Sequence, residues 1–276
     1  MTDDHLAVPL LQERGIQADL VRWREDADWA GWDLVVVRST WDYQRELDAF
    51  LDTLAAIARA TRLENPLPLQ RWNACKTYLR DLAAEGVPVV PTLWRDGLRP
   101  GELRRLFAEA GAVELVLKPA VGSSGEDVFR VRVEKADARE PELLRVFRGR
   151  ALMAQPFLAD VLERGESSVV WIDGAVSHAL RKTPRAGEFR SQEEHGGRVE
   201  PLDPDPALAA AARRVADAVA RRSPRPPLYG RVDFLPGPDG WLVGEVELVE
   251  PSLYLRLDRR APARLADAIA ARLWHP

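Results

Sequence analysis

Apolar positions in the first seventy residues alternate between helical and strand-like spacing. The elements that this alternation predicts are helices over 6–14 and about 43–59, and strands over 16–23 and 33–39. The Val run within 33–39 is typical of a strand that is covered on both faces of a sheet. A small βαβ-like N-terminal domain is therefore predicted, and the two prolines of 65–69 mark its end, because proline interrupts regular structure.

Beyond residue 69, strand-like runs become more frequent and short turns separate them. The pattern predicts helices over 73–85, 100–110, 207–222 and 263–273, and strands over 87–93, 113–118, 127–133, 151–155, 167–172, 176–182, 229–235 and 241–246. Residues 184–204 are polar, rich in glycine and too long for an ordinary connection, which predicts a mobile functional loop. The fold class is α/β (α+β), with an antiparallel second half.

Composition and charge exclude several classes of protein. The 276 residues are 46% hydrophobic and carry a net charge of −4, which is enough apolar material for one or two folded domains. Mild acidity without a basic block disfavours a nucleic-acid partner. No membrane-length apolar run or signal peptide is found, so no membrane partner and a cytoplasmic location are expected. The single cysteine, Cys75, excludes an internal disulfide.

Lysine is rare in this chain. Of the 39 basic residues, 35 are Arg and only four are Lys, namely Lys76, Lys118, Lys135 and Lys182. Positions that keep lysine are candidates for sites where a compact ammonium is needed and a planar guanidinium does not fit. Chance survival of four lysines is the alternative explanation.

Acidic residues alternate along the last two predicted strands. Arg231 and Asp233 share one face by the two-residue strand period, and Glu245 and Glu247 do the same on the next strand. A short loop joins the strands, so the three carboxylates converge if the strands form a hairpin. Such hard oxygen ligands suit Mg²⁺. A solvated face is the simpler explanation for one pair alone, but two facing pairs beside an arginine favour the magnesium site.

A Gly/Ser loop follows Lys118 directly. Lys118 ends a predicted strand, and Gly122-Ser-Ser-Gly125 connects it to another strand, which predicts a hairpin lid rather than a P-loop. Exposed backbone N–H groups in such a loop can close over phosphate oxygens. A GSSG tetrapeptide alone is usually only a turn, and its position after Leu-Val-Leu-Lys-Pro strengthens the nucleotide interpretation.

Three stretches together resemble the ATP-grasp carboxylate–amine ligases. They are Val116-Leu-Lys-Pro-Ala-Val-Gly-Ser-Ser-Gly125, then Met153-Ala-Gln-Pro-Phe-Leu158 with Gly165-Glu-Ser167, and finally Gly230-Arg-Val-Asp-Phe234 with Gly244-Glu-Val-Glu247. Within that family the chain is similar to the glutathione-synthetase-like branch, and especially to the cyclo-ligases that make D-cycloserine from O-ureido-D-serine. The stretches that carry this second likeness are 36–43, 72–79 and 246–251.

The resemblance implies ATP and Mg²⁺ as cofactors and assigns roles to individual residues. Lys76 and Lys118 would contact the α- and β-phosphates under a flap made of Gly122, Ser123, Ser124 and Gly125. Gln155, Phe157 and Leu158 would form the adenine hinge, and Glu166 would accept from the ribose hydroxyls. Asp233, Glu245 and Glu247 would hold Mg²⁺. Lys182 and Arg231 would stabilise the transferred phosphoryl group, and Arg190 and Arg198 would close over the acyl phosphate to exclude water.

Further candidates lie at the end of the 33–39 strand, where open α/β sheets usually bind ligands. They are Arg38, Thr40, Asp42 and Tyr43, although Asp42 alternatively caps the next helix. Cys75 has no histidine placed to activate it and is interpreted as a buried helix residue. His195 and Lys135 are interpreted as solvated surface residues.

Two features depart from the family pattern. Glu247 stands where many members have Asn, and Glu250 often has a small counterpart; the added charge would tighten metal binding or meet a cationic or urea-like substrate group. Only Met1-Thr-Asp-Asp4 precedes the first predicted helix, so the family's first strand is expected to be missing or misassigned.

The domains are predicted as 1–68 (substrate), 69–150 (lid) and 151–276 (catalytic). The predicted function is ATP-dependent C–N bond formation through an acyl phosphate, acting on a small amino-acid-like substrate. Intramolecular cyclisation is the first hypothesis, intermolecular amide ligation the second, and a nucleotide-binding module without turnover the third. A homodimer is the default oligomer.

Overall fold

The computed structural model describes residues 3–274. Its helices are Val8–Glu13 (α1), Leu47–Ala60 (α2), Leu67–Asn73 (α3), Tyr78–Ala84 (α4), Glu102–Ala110 (α5), Ala136–Val146 (α6), Val161–Arg164 (α7), Pro206–Ala220 (α8) and Ala261–Trp274 (α9). Its strands are Leu34–Val36 (β1), Arg62–Glu64 (β2), Leu93–Arg95 (β3), Glu114–Pro119 (β4), Phe129–Arg132 (β5), Leu152–Pro156 (β6), Glu166–Ile172 (β7), Ala175–Thr183 (β8), Arg198–Leu202 (β9), Tyr229–Gly237 (β10) and Gly240–Glu247 (β11). Within residues 3–274, no helix combines the length and hydropathy needed to cross a bilayer.

The strands form three sheets that follow one another along the chain. β1 and β2 pair in parallel on either side of α2, which confirms the predicted βαβ-like unit. A four-stranded antiparallel sheet has the order β3-β6-β4-β5, and a five-stranded antiparallel sheet has the order β11-β10-β7-β8-β9. The predicted mixture of helices with an antiparallel second half is therefore confirmed.

Amphipathic helices cover both faces of the five-stranded sheet with apolar side chains. α8 buries Ala212, Val215 and Val219 against Val243 and Val246 of β11, because these positions recur at helical spacing on one face. α9 packs with α1 against the other face of the five-stranded sheet. One cluster there joins Ala7, Leu265 and Ala268 to Val170 and Leu180.

Residues 16–23 form no strand, contrary to the sequence prediction. The segment has no neighbouring strand to complete a ladder, and Leu20 is 88% exposed. Among the described residues no strand precedes β1, so the first sheet has only two strands. The place before β1 in the chain is taken by a short 3-10 helix at Asp4–Leu6 and by α1.

The prolines of 65–69 begin a helix instead of ending regular structure. Pro66 caps α3 and Pro68 lies in its first turn, where the missing proline N–H removes no helical hydrogen bond. The predicted 73–85 helix begins late: Asn73 ends α3, and α4 starts only at Tyr78. The break between the two helices allows the backbone N–H of Lys76 to donate to Ala120 O at 2.7 Å.

Three other boundaries also differ from the prediction. The 87–93 run forms only an isolated bridge between Val89 and Val243, and β3 begins at Leu93. Residues 184–204 contain β9, which pairs with β8, so part of the predicted loop is an edge strand. The sequence pattern missed α6, which has Pro141 inside it.

Candidate active site

The β10–β11 hairpin brings the predicted acidic residues together. Asp233 pairs with Glu245 across the hairpin and Arg231 pairs with Glu247, so all four side chains lie on one face. The pairing register between β10 and β11 shifts between Asp233 and Phe234, so this irregularity of the hairpin lies beside the acidic side chains. This face forms one wall of a cleft whose opposite wall belongs to the four-stranded sheet.

Asp233 is the most heavily bonded carboxylate of this face. Arg231 Nε and Nη2 each donate to it at 2.9 Å, and Ser168 Oγ donates at 2.6 Å. Lys182 Nζ lies 3.1 Å from Asp233 Oδ2 and also contacts Glu166. Burial alone would raise the pKa of Asp233, but Arg231 and Lys182 outweigh it and hold that pKa well below its usual range.

Glu245 is engaged by a second cation, from the segment between α3 and α4. Lys76 Nζ lies 2.6 Å from Glu245 Oε1 and donates to Gly122 O at 2.8 Å. Burial would raise the pKa of Glu245, yet Lys76 and Lys118 lower it. Lys76 therefore links the acidic hairpin to the Gly/Ser loop.

Lys118 projects from β4 on the opposite wall of the cleft. Within residues 3–274 its ammonium has no hydrogen-bond or ion-pair partner. Burial lowers the pKa of Lys118, because a desolvated ammonium loses hydration without gaining a carboxylate contact. The cleft thus contains a lysine that an anionic ligand can neutralise.

The Asn73 amide and the Tyr78 phenol bond to the backbone at the outer edge of β11, where a further strand would otherwise bond. Asn73 Nδ2 donates to Val246 O at 2.8 Å, and Leu248 N donates to Asn73 Oδ1 at 2.7 Å. Val246 N donates to Tyr78 Oη at 2.9 Å. These bonds fix the backbone that carries Glu245 and Glu247. Sequence reasoning missed both residues, and a buried Asn beside the lysine of 72–79 was the available signal.

The Gly/Ser loop between β4 and β5 contacts the 184–197 segment. A side chain at Gly125, whose φ is +68°, would place its Cβ 3.1 Å from His195 Nε2. His195 Nε2 lies 3.2 Å from Ser124 O. Both the conformation and the close approach favour glycine at this position. His195, predicted to be a solvated residue, thus contacts the loop.

The predicted hinge residues line the cleft at the end of β6. Gln155 pairs with Val116 of β4 and donates through Nε2 to Thr92 Oγ1 at 2.9 Å. Phe157 N donates to Glu114 O at 3.0 Å, and the Arg130 guanidinium lies 3.7 Å from the centroid of the Phe157 ring. Leu158 and Glu166 also line the cleft, although the Glu166 carboxylate contacts Lys182.

Five predicted site residues do not line the cleft. Lys182 contacts the lining residues Asp233 and Glu166, and the other four are Arg38, Thr40, Asp42 and Arg198. Arg198, on the edge strand β9, has a side chain 76% exposed and pairs with Glu200 at 2.7 Å. Arg38 donates to Asp4 Oδ1 at 3.0 Å and to Pro251 O at 2.8 Å, while Asp42 accepts from Trp23 Nε1 at 2.9 Å and from Arg24. Asp42 makes no capping bond to the following turn, and Thr40 does not line the cleft either. Local partners hold the side chains of Arg198, Arg38 and Asp42 away from the acidic hairpin.

Arg190 and Tyr43 do line the cleft. Arg190 is paired with Glu188, with Nη2 to Oε2 at 2.8 Å, and this contact lowers the pKa of Glu188 to about 2. Tyr43 is buried and its ring packs on Phe50 at 4.9 Å between centroids. Of the two, only Arg190 already has a charged partner.

Glu250 differs from the other carboxylates of the cleft. The residue is 7% exposed and lines the cleft, and its side chain has no hydrogen-bond or ion-pair partner among residues 3–274. Burial and the charge of Glu247 raise the pKa of Glu250 to about 8. Burial, opposed by Arg231, likewise raises the pKa of Glu247 to about 7.

The acidic hairpin has the donor chemistry of a magnesium site, although its side chains are not arranged as one. Among residues 3–274, no group of three or more His, Cys, Asp or Glu side chains is positioned to hold a metal ion. Each of the three predicted ligands is instead in contact with a lysine or arginine. Three hard oxygen donors that already attract cations fit Mg²⁺ chemically.

Family models match two parts of the sequence. The N-terminal domain of D-cycloserine synthetase DcsG matches residues 1–65, and the ATP-grasp domain of prokaryotic glutathione synthetase matches residues 98–223. Cycloserine biosynthesis protein DcsG of Streptomyces lavendulae is 34% identical over 271 residues, which cover 94% of this chain and 90% of that protein. A glutathione synthetase of Parasynechococcus marenigrum is 31% identical over 76% of this chain and 64% of its own length.

Solved structures agree with this likeness. The crystal structure of D-cycloserine synthetase DcsG superposes with a TM-score of 0.87 at 31% identity, covering 98% of this chain and 95% of that one. A RimK-domain ATP-grasp protein from Sphaerobacter thermophilus has a TM-score of 0.72 at 20% identity, with 97% and 96% covered, and shows the fold alone.

Proposed function

Because the chain belongs to the ATP-grasp ligase family that includes DcsG, we propose that it cyclises an amino-acid derivative of the O-ureido-serine type. An ATP-dependent ligase of this family acts through an acyl phosphate. The observation that carries the proposal is the cleft itself, in which an unpartnered Lys118 faces a hairpin of three carboxylates. The similarity to DcsG along 94% of the chain supports the substrate class.

The nucleotide is assigned to the wall formed by the four-stranded sheet. Lys76 and Lys118 would contact its α- and β-phosphates, and Gly122, Ser123, Ser124 and Gly125 would cover the β- and γ-phosphates. Backbone groups at Gln155, Phe157 and Leu158 would read the adenine edge, and Glu166 would meet the ribose. The contact between Lys76 and Gly122 O supports this assignment, because it already holds an ammonium against the loop.

Asp233, Glu245 and Glu247 would hold Mg²⁺, which supplies positive charge beside the transferred phosphoryl group. Arg231 and Lys182 are fixed next to them by Asp233 and Glu166. Fixed cations of this kind stabilise charge that develops on the phosphoryl oxygens without needing to reorganise. We assign this stabilisation to both residues.

The proposed reaction needs two displacements. A substrate carboxylate oxygen attacks the γ-phosphorus and ADP leaves; a nitrogen of the same molecule then attacks the acyl carbon, loses its proton, and expels phosphate. Water must be kept out between the two steps, because an acyl phosphate hydrolyses. Arg190, together with the 184–197 segment that contacts Ser124 through His195, is the proposed cover.

We also propose three domains, with boundaries near residues 68 and 150. The order of the three sheets along the chain supports this division. The first domain would then supply Tyr43 to the substrate end of the cleft.

The proposal is tested by an ADP-release screen with amino acids and their ureido and hydroxamate derivatives, followed by mass spectrometry of the products. A product that weighs one water less than a single substrate supports cyclisation, as does one that has lost both a water and the HNCO unit of a ureido group. A product that joins two substrates would contradict cyclisation and support an intermolecular ligase. Tight Mg·ATP binding without ADP release from any substrate would instead support a nucleotide-binding module.

A further inference from the structure

Glu250 is a buried carboxyl group whose side chain has no hydrogen-bond or ion-pair partner among residues 3–274. None of the four nearby cations pairs with Glu250. Arg231 and Lys182 bind Asp233, Lys76 binds Glu245, and Lys118 lies on the opposite wall. A carboxylate removed from water is unstable unless a cation or hydrogen-bond donors compensate it. Glu250 lines the cleft, so a cationic ligand bound there can supply the missing compensation.

Residues of the N-terminal unit form the wall beside Glu250. Trp41 Nε1 donates to the backbone oxygen of Glu250 at 2.9 Å, which holds the two segments together. Tyr43 is 5% exposed, and its hydroxyl has no hydrogen-bond partner among residues 3–274. Burial, and after it the charge of Glu250, raise the pKa of the Tyr43 phenol well above its usual range. One acceptor, one phenol and one indole ring thus border the same corner.

We propose that Glu250, Tyr43 and Trp41 bind the α-ammonium group of the small amino-acid substrate. The inference rests on the proposed function and adds the group by which the substrate is recognised. A primary ammonium supplies the positive charge that the corner lacks, and the faces of aromatic rings attract cations. A neutral urea would leave the carboxylate of Glu250 uncompensated.

The corner is also distinct from the predicted metal ligands. Asp233, Glu245 and Glu247 lie on the paired strands β10 and β11, whereas Glu250 follows the end of β11 and is fixed through its backbone to Trp41. We therefore assign Glu250 to the substrate and not to Mg²⁺.

The test compares O-ureido-D-serine with 3-(ureidooxy)propanoic acid, the same molecule without its amino group. Calorimetric titrations use protein saturated with Mg·ADP, for the wild type, Glu250→Gln and Glu250→Asp. We expect the wild type to bind the amine about 30-fold or more tightly than the deamino compound, in line with the cost of removing a buried charged partner. Glu250→Gln should bind the two compounds alike, and Glu250→Asp should be intermediate. Asp52→Asn, an exposed carboxylate on α2, is the matched control and should behave as the wild type does.

Three results would overturn the assignment. The first is that Glu250→Gln loses affinity for both compounds equally. The second is that Glu250→Gln changes the Mg²⁺ requirement but keeps the preference for the amine. The third is that the wild type binds neither compound. The proposed function fails separately: binding of the amine that depends on Glu250, without ADP release in the screen above, would refute the ligase and retain the ammonium site.

Discussion

The two walls of the cleft differ in how far their charges are neutralised. On the five-stranded sheet, Asp233 alone is bonded to Arg231, Lys182 and Ser168, so the charged groups are fixed by one another. On the four-stranded sheet, the Lys118 ammonium has no hydrogen-bond or ion-pair partner within residues 3–274, and the residue lines the cleft. The first wall is built before any ligand arrives, whereas the second is completed by the ligand. Substitutions on the two walls should consequently fail in different ways.

The largest effect is expected on the fixed wall. Glu245→Gln removes a proposed metal ligand and the partner of Lys76, so turnover should fall ~10²-fold or more. Raising Mg²⁺ should restore part of the rate, because the defect lies in metal affinity. Steady-state kinetics over a range of Mg²⁺ concentrations measures both. A near-normal rate at low Mg²⁺ would remove Glu245 from the site.

Lys118 tests the open wall. Lys118→Ala removes the charge, so turnover should fall ~10²-fold or more. Lys118→Arg keeps the charge but replaces a compact ammonium with a wider guanidinium, and its turnover should also fall strongly. Nucleotide affinity, measured by calorimetry, should fall with it, whereas folding stability should not. Lys135→Arg, away from the cleft, is the matched control and should be silent. Normal nucleotide binding by Lys118→Ala would contradict the assignment.

Asn73→Ala tests the side-chain hydrogen bonds that hold the edge of β11, the strand that carries Glu245 and Glu247. The substitution leaves a buried carbonyl at 246 and a buried N–H at 248 unpaired, so the free energy of unfolding should fall by about 2–3 kcal/mol. Turnover should fall about tenfold, because the strand that carries Glu245 and Glu247 loses its register support. Urea unfolding and kinetics measure the two effects. Gln12→Ala, which removes an exposed amide from α1, should change neither.

The smallest effect concerns the unpaired carboxylate between the walls. Burial raises the pKa of Glu250 from 4.5 to about 8, so between these pH values the folded state binds more protons than the unfolded state. Stability of the ligand-free protein should therefore decline as the pH rises through this window. Glu250→Gln cannot ionise, and above pH 8 it should be more stable than the wild type by roughly 1–3 kcal/mol. Parallel unfolding curves for the two proteins from pH 4.5 to 8 would contradict this account.

Local patterns were sufficient for most of the fold. The alternation in 229–235 and 241–246 predicted β10 and β11, and the helical spacing of Phe50, Leu54 and Ile57 predicted α2. Predictions failed where a remote partner decided the outcome. Residues 16–23 have strand-like composition but no strand to pair with, and Asn73 ends α3 with its amide bonded to β11.

The candidate site divides along the same line. Asp233, Glu245, Glu247 and Arg231 share a face because the strand period requires it, and the sequence contains that period. Arg38 and Asp42 are predicted from their place at a strand end and Arg198 from the family resemblance, and local ion pairs or hydrogen bonds hold all three outside the cleft. No periodicity describes which of many neighbouring charges a given side chain contacts.

The sequence by itself determined the family and the acidic hairpin, and it drew attention to the three lysines that we propose as phosphate contacts. Tertiary structure decided which charges are neutralised. Lys76 pairs with Glu245, and Lys182 pairs with Glu166 and Asp233. Within residues 3–274, the side chains of Lys118 and Glu250 have no ion-pair partner. The physical reason is that residue type and spacing are local properties, whereas burial and charge compensation depend on groups that lie far apart in the chain and meet only when the sheets pack.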